Sequence, residues 1–141
     1  VRAWGYNRHG QLGDGSTTDR LAPVTVGGLT GVTAIAAGGV HSVALRADKT
    51  VRAWGNNLTG QLGDGTTVPR NLRVTAFGAA NITAVAAGGF VTFALRADGA
   101  VLAWGRGGMV GTGTDADATT PTALRTMPVR RRIEMYAFGS I

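Results

Sequence analysis

The sequence predicts an all-β fold: β-propeller blades of four antiparallel strands each, repeated about every 50 residues in an incomplete, open propeller of two full blades plus partial ones. Three observations carry this. Val1-Arg-Ala-Trp-Gly5 recurs as Val51-Arg-Ala-Trp-Gly55 and as Val101-Leu-Ala-Trp-Gly105, at a constant spacing of 50 residues, and a period of that size marks a propeller or solenoid. Laid without a gap on residues 51–100, residues 1–50 match at 28 positions. Glycine supplies 23 of 141 residues, far above the usual share of about 7%. Many sit at the same place in both copies, as positive φ or close backbone approach requires.

Each unit reads as four short strands. The first, Val32–Ala37 and Ile82–Ala87, is small, apolar and partly β-branched, and stops at Gly-Gly; its length and flanks argue for a buried strand over a helix. The second covers 42–46 and 92–96. Asp48-Lys-Thr and Asp98-Gly-Ala then turn the chain, the latter with the Asp-Gly pair of a tight hairpin. The third strand holds the tryptophan, at 51–54 and 101–104. The fourth is weaker, near 23–26, 72–76 and 121–124. In the third copy Gly105-Arg-Gly-Gly-Met-Val-Gly-Thr-Gly113 aligns with the earlier loops only if about two residues are dropped.

The chain divides as one repeat module over 1–141: the end of one blade (1–26), a blade (27–76), a second blade (77–126) and a possible first strand of another (127–141), where Ile133–Gly139 can be laid on 32–38. Fewer than three blades leave strand edges open. A piece of a longer protein, or a unit that assembles with its own copies, is the expectation, and the absence of an initiator Met favours the former.

Composition narrows function mainly by exclusion. No run of 18 apolar residues is present. There is no cysteine, hence no thiol nucleophile, and no compartment is indicated. Net charge is +6 and almost wholly arginine, with Lys49 the lone lysine and a triplet at Arg130-Arg131-Arg132. A basic face can bind nucleic acid or an acidic protein, but one Arg triplet is weak support for nucleic acid, and blade-covering Arg stems explain the bias better. His9 and His41 have no partners at metal-ligand spacing. Asp14 and Asp64 in Gly-Asp-Gly read as turn carboxylates bonding nearby amides, because one carboxylate per loop falls short of a hard-cation shell. Asp115-Ala-Asp117 is unrepeated, and residues 105–113 lack the Gly-Lys-Ser/Thr of a phosphate loop. No catalytic, metal or cofactor residues are assigned, and no cofactor is expected.

The string Trp-Gly-x-Asn-x-x-Gly-Gln-Leu-Gly-x-Gly, at 4–15 and 54–65, with Ala36-Ala-Gly-Gly-Val-His-Ser-Val-Ala-Leu-Arg-Ala-Asp48 between the two copies, resembles the regulator of chromosome condensation repeat over about residues 1–113. The resemblance implies a propeller with four antiparallel strands per blade. It departs at Val91, where the family keeps His, and at Gly107, where it keeps Asn. Within it His41 is a structural histidine bonding a loop carbonyl, Trp4, Trp54 and Trp104 pack between blades, and Gly13 and Gly63 are repeat-fixed.

Three roles follow as expectations. The first is a non-catalytic protein–protein interaction scaffold whose specificity lies in loops that differ between copies, 6–9 against 56–59, 16–22 against 66–72, and 106–117. Candidate contact residues are Tyr6, Arg8, His9, Arg20, Leu58, Arg70 and Arg106. The second is guanine-nucleotide exchange on a small GTPase, the founding member's activity on Ran, although no wedge insertion is visible. The third is an enzyme-inhibitor propeller, as in bacterial β-lactamase inhibitors that resemble the family. The Arg-, Ala- and Gly-rich composition suits a high-GC bacterial source. The partner is an unidentified protein; a membrane is not expected.

Overall fold

The structure, a computed structural model, describes residues 1–124. The possible strand at 133–139 and the Arg130–Arg132 triplet lie outside the described residues. Ten strands run in sequence: β1 (Arg2–Gly5), β2 (Arg20–Thr25), β3 (Val32–Ala37), β4 (His41–Arg46), β5 (Val51–Gly55), β6 (Arg70–Thr75), β7 (Ile82–Ala87), β8 (Val91–Arg96), β9 (Val101–Gly105) and β10 (Ala118–Ala123). They form three antiparallel meanders, β1-β2, β3-β4-β5-β6 and β7-β8-β9-β10, and the described residues do not close into a ring.

Register repeats with the sequence. His41 pairs Gly55, Val43 pairs Ala53 and Leu45 pairs Val51; one unit later Val91 pairs Gly105, Phe93 pairs Ala103 and Leu95 pairs Val101. The hairpin tips differ. Gly99 has φ 88°, but the equivalent residue of the earlier unit is Lys49 at φ 61°. An L-residue there costs about 1 kcal/mol, and Asp48 offsets it by accepting bonds from the Thr50 amide and hydroxyl.

The fourth strands begin earlier than their composition suggested, at Arg20, Arg70 and Ala118. A bulge after Ala3 and after Ala53 lets Arg20 and Arg70 pair with Gly5 and Gly55, so a charged residue opens β2 and β6. Pro23 is tolerated because β2 pairs on one side only. The first strands also depart from expectation. They are not buried throughout: β3 alternates half-buried with exposed residues, and Ile35 is 64% exposed. As the end strand of its sheet β3 has one hydrogen-bonded neighbour, and only alternate residues face β7 and the core.

Successive sheets approach at their inner strands, with β7 packed on β3 and β4. Val26, Ala44 and Trp54 form the core between the first and second sheets. A larger cluster, including Val43, Val51, Leu62, Ile82, Leu102 and Trp104, fills the space between the second and third. Alanines recur here because small side chains let two twisted sheets come together without voids.

Candidate interaction surface

Three long loops, 6–19, 56–69 and 106–117, join the third strand of each sheet to the fourth on the same rim as the Gly-Gly turns at 38–39 and 88–89. Their shape is fixed from below. Asn7 is fully buried; its Nδ2 donates to Asp14 Oδ1 (3.3 Å), Ser16 O (3.1 Å) and Thr18 O (3.0 Å), and its Oδ1 accepts the Leu12 amide (2.9 Å). Asn57 repeats this with Asp64, Thr66, Val68 and Leu62. One asparagine thereby satisfies amides and carbonyls that a loop of this length would otherwise bury unpaired.

Asp14 closes the same loop by accepting the Ser16 amide and hydroxyl, and Arg20 Nε at 2.7 Å. Partial burial alone would raise its pKa; the Ser16 hydrogen bonds and the Arg20 charge outweigh it and hold the carboxyl at about 2. Asp64 is held below the ordinary range by the same contest, with Thr66, Asn57 and Arg70 as the favourable partners. Arg20 and Arg70, both candidate contact residues, are thus tied to the carboxylate of their own loop. The Arg70 tie is looser: Nε stands 3.4 Å from Asp64 Oδ2 and makes no hydrogen bond.

In the third loop Gly107 replaces the asparagine. A Cβ there would collide with the Asp115 carbonyl, and the Gly107 amide donates instead to Asp117 Oδ1 at 2.7 Å. This loop is two residues shorter than the others, so the backbone itself fills the place of the asparagine side chain. Asp117 is a loop brace in this arrangement.

The tryptophans join one repeat to the loop of the repeat before it. Trp54 is 2% exposed and its Nε1 donates to Gln11 O at 2.8 Å; Trp104 is fully buried in the equivalent place. Gly13 (φ +68°) and Gly63 (φ +75°) lie under the two indoles, where a Cβ would stand 2.7 Å from Nε1 of Trp54 and of Trp104. Trp4 departs from the packing expected of it. Among the described residues it is 62% exposed.

His41 is buried, and its ring bonds across to the next sheet instead of to a loop carbonyl. Nε2 lies 2.8 Å from Thr92 Oγ1, whose own hydrogen goes to Gln61 O at 2.8 Å. Nε2 is therefore the donor, and Nδ1 is left without a partner. Burial lowers the ring pKa to about 4. Gly38 is fixed by this ring, since a Cβ there would overlap it and the Gly88 carbonyl.

Above this framework the loop tips are open. Tyr6 (52%) and Leu58 (65%) are exposed, as is Arg8. His9, a candidate contact residue, is half-buried; its ring meets Tyr6 edge-on at 6.2 Å, and its Nδ1 accepts Asn56 Nδ2 at 3.2 Å. It links the loops of two repeats. Arg106 lies over the Phe90 ring at 5.6 Å. Asn56 lies in the variable loop 56–59 but was not singled out, and Phe90 and Thr92 were missed from sequence. Each of the three stands where the other copy has a different residue (Tyr6, Val40, Ser42), which is the only mark they carry.

Two family models, both described as the regulator of chromosome condensation (RCC1) repeat, match residues 1–45 and 50–95, and 32–61 and 82–109. The E3 ubiquitin-protein ligases HERC2 of Homo sapiens and Mus musculus are each 52% identical over 46 residues, covering 31% of this chain and 1% of theirs. Among solved structures, human WBSCR16 superposes with a TM-score of 0.78 at 24% identity, and Prp20p from Saccharomyces cerevisiae, described with its binding to Gsp1p and histones, with 0.76 at 24%. Each alignment covers 89% of this chain and 34% of the other. The chain thus spans about a third of the solved structures and a small fraction of the ligases, and at these identities the superpositions establish the fold alone. With the repeat models matching well over half of its residues, the chain belongs to the regulator of chromosome condensation (RCC1) repeat family.

Proposed function

We propose that the chain is a non-catalytic protein-binding scaffold, and that its partner meets the rim bearing loops 6–19, 56–69 and 106–117. The supporting observation is how the reactive groups are spent. Asp14 and Asp64 are consumed in closing their loops, and His41 is buried between sheets on a threonine hydroxyl. What the rim presents outward is Tyr6, Arg8, Leu58 and Arg106, side chains of the type that anchor protein interfaces. Capture from lysate on the wild-type chain, beside Tyr6→Ser/Leu58→Ser and Arg106→Ser, tests this. A partner lost with the rim substitutions and kept with Asp48→Ser, on the opposite rim, is expected. Equal capture by all three sinks the rim assignment.

Guanine-nucleotide exchange is the second reading. Its support is the fold shared with Prp20p, described with its binding to Gsp1p, and shared fold does not carry activity. Release of a fluorescent nucleotide from a loaded small GTPase decides it: the scaffold reading expects no acceleration.

A further inference from the structure

A groove of about 630 Å³ runs along β6, the outermost strand of the second sheet, away from the rim tips. Arg52, Arg70, Arg73, Leu72 and Phe77 line it together with Asp64. Three guanidiniums and one carboxylate therefore line it, and Arg52 also acts on the Asp48 carboxylate at the hairpin tip. The Asp64 carboxylate is already engaged by the Asn57 amide and by the Thr66 amide and hydroxyl. Arg52 and Arg73 form no ion pair among the described residues. Arg52 reaches Thr50 Oγ1 and Val51 O, and Arg73 spends one N–H on Gly27 O at 2.9 Å. Buried Arg70 Nε has no hydrogen-bond partner.

The two repeats differ at the places that build this groove. Arg52, Asp64, Arg70, Val74 and Thr75 have identical counterparts at 2, 14, 20, 24 and 25. Leu72, Arg73 and Phe77 stand where the first repeat has Ala22, Pro23 and Gly27. Thr66 stands for Ser16 as well, a small change; the other three add charge or apolar surface to the groove. Leu72 and Arg73 lie in part against Gly15, Gly27 and Gly28 of the first repeat, yet Leu72 remains 47% and Phe77 60% exposed. The first repeat builds the same strand with Ala, Pro and Gly at these places.

We propose that this groove binds an acidic peptide segment, with aspartate or glutamate side chains on Arg52, Arg70 and Arg73 and an apolar side chain seated on Leu72 and Phe77. Guanidinium forks suit carboxylates, which they can hold bidentately, and an aromatic beside arginines is a usual composition for an interface anchor. A carboxylate already fixed in the wall favours discrete acidic side chains over a nucleic-acid backbone, whose charge repeats without interruption. The proposal rests on the scaffold reading and deepens it by naming a partner's chemistry at a second surface, which shares Asp64 and Thr66 with loop 56–69 but none of Tyr6, Arg8, Leu58 and Arg106.

The test is fluorescence anisotropy with three labelled probes: a decapeptide of glutamates around a central Leu-Phe pair, the same peptide with glutamine for glutamate, and a twelve-nucleotide oligothymidylate. Saturable binding of the acidic probe is expected, at least tenfold tighter than the neutral one and weakened by salt. Arg73→Pro and Phe77→Gly, which restore the first repeat's residues, should each weaken it at least fivefold with little change in melting temperature. Arg52→Gln provides a second charge variant if either fails to fold. No binding of the acidic probe, equal binding of the neutral probe, tighter binding of the oligothymidylate, or indifference to all three substitutions overturns the proposal. Tyr6→Ser/Leu58→Ser should leave probe binding intact, so failure here and failure of the rim assignment are read separately.

Discussion

Trp54 and Trp4 occupy the same place in successive repeats and differ only in what covers them, so truncating each to alanine isolates the inter-repeat contact. A buried indole removes on the order of 150–250 Å² from water, worth about 4–6 kcal/mol at roughly 25 cal/mol/Å². That figure is an upper estimate, and buried Trp→Ala changes cost about 3–5 kcal/mol. Trp54 is 2% exposed and gives its Nε1 hydrogen to Gln11 O; Trp54→Ala leaves that carbonyl with the Ser42 hydroxyl as its remaining partner, so the lost hydrogen bond adds no orphaned acceptor. The expected loss is about 3–5 kcal/mol, or roughly 10–15 °C in melting temperature for a chain of this size. Trp4 is 62% exposed, so Trp4→Ala forfeits about a third as much, near 1–2 kcal/mol. Thermal and urea unfolding followed by circular dichroism reads both. Equal destabilisation by the two changes, or none from Trp54→Ala, would refute the account of tryptophan as the joint between a strand and the preceding loop.

Further outcomes follow from the buried polar groups. His41 has its pKa lowered by burial from 6.5 to about 4, so between those values the unfolded chain binds more protons than the folded one. Its contribution is complete above pH 6.5 and declines as pH falls toward 4, by about 3 kcal/mol in total; urea midpoints from pH 7.5 to 4 should fall in wild type and stay flatter in His41→Gln. Asp14, held at about 2 against an ordinary 3.8, contributes in a separate window, losing its share only as pH falls from 3.8 toward 2, so a slope confined to that range would assign the pH dependence to the loop carboxylates instead. Asn57→Asp is nearly isosteric but turns the donor that stands 3.1 Å from Asp64 into an acceptor; it should cost about 2–4 kcal/mol at pH 7, and less at pH 4 as carboxylates protonate. A neutral effect in denaturant unfolding would show that the asparagine does not organise the loop.

The sequence alone determined what repeats. A 50-residue period, glycines at fixed places and one tryptophan per unit are local requirements of strand, turn and close approach, and each must be written into every copy. Blade topology and the Gly13 and Gly63 positions were legible for that reason. The position of Arg20 and Arg70 in strands was not, because a register shift after Ala3 and Ala53 brings them opposite Gly5 and Gly55, and composition carries no mark of it. Tertiary structure decided which equivalent residues are equivalent in fact. Trp4 and Trp54 are identical in sequence, yet one is exposed and one buried, since burial depends on the neighbouring repeat and not on the residue. His41 finds its partner 51 residues away on Thr92, and Arg52, Arg70, Arg73, Leu72 and Phe77 converge on one groove only after the second sheet is folded. Periodicity records the contacts each unit makes with its like; the contacts that differ between units leave no period to read.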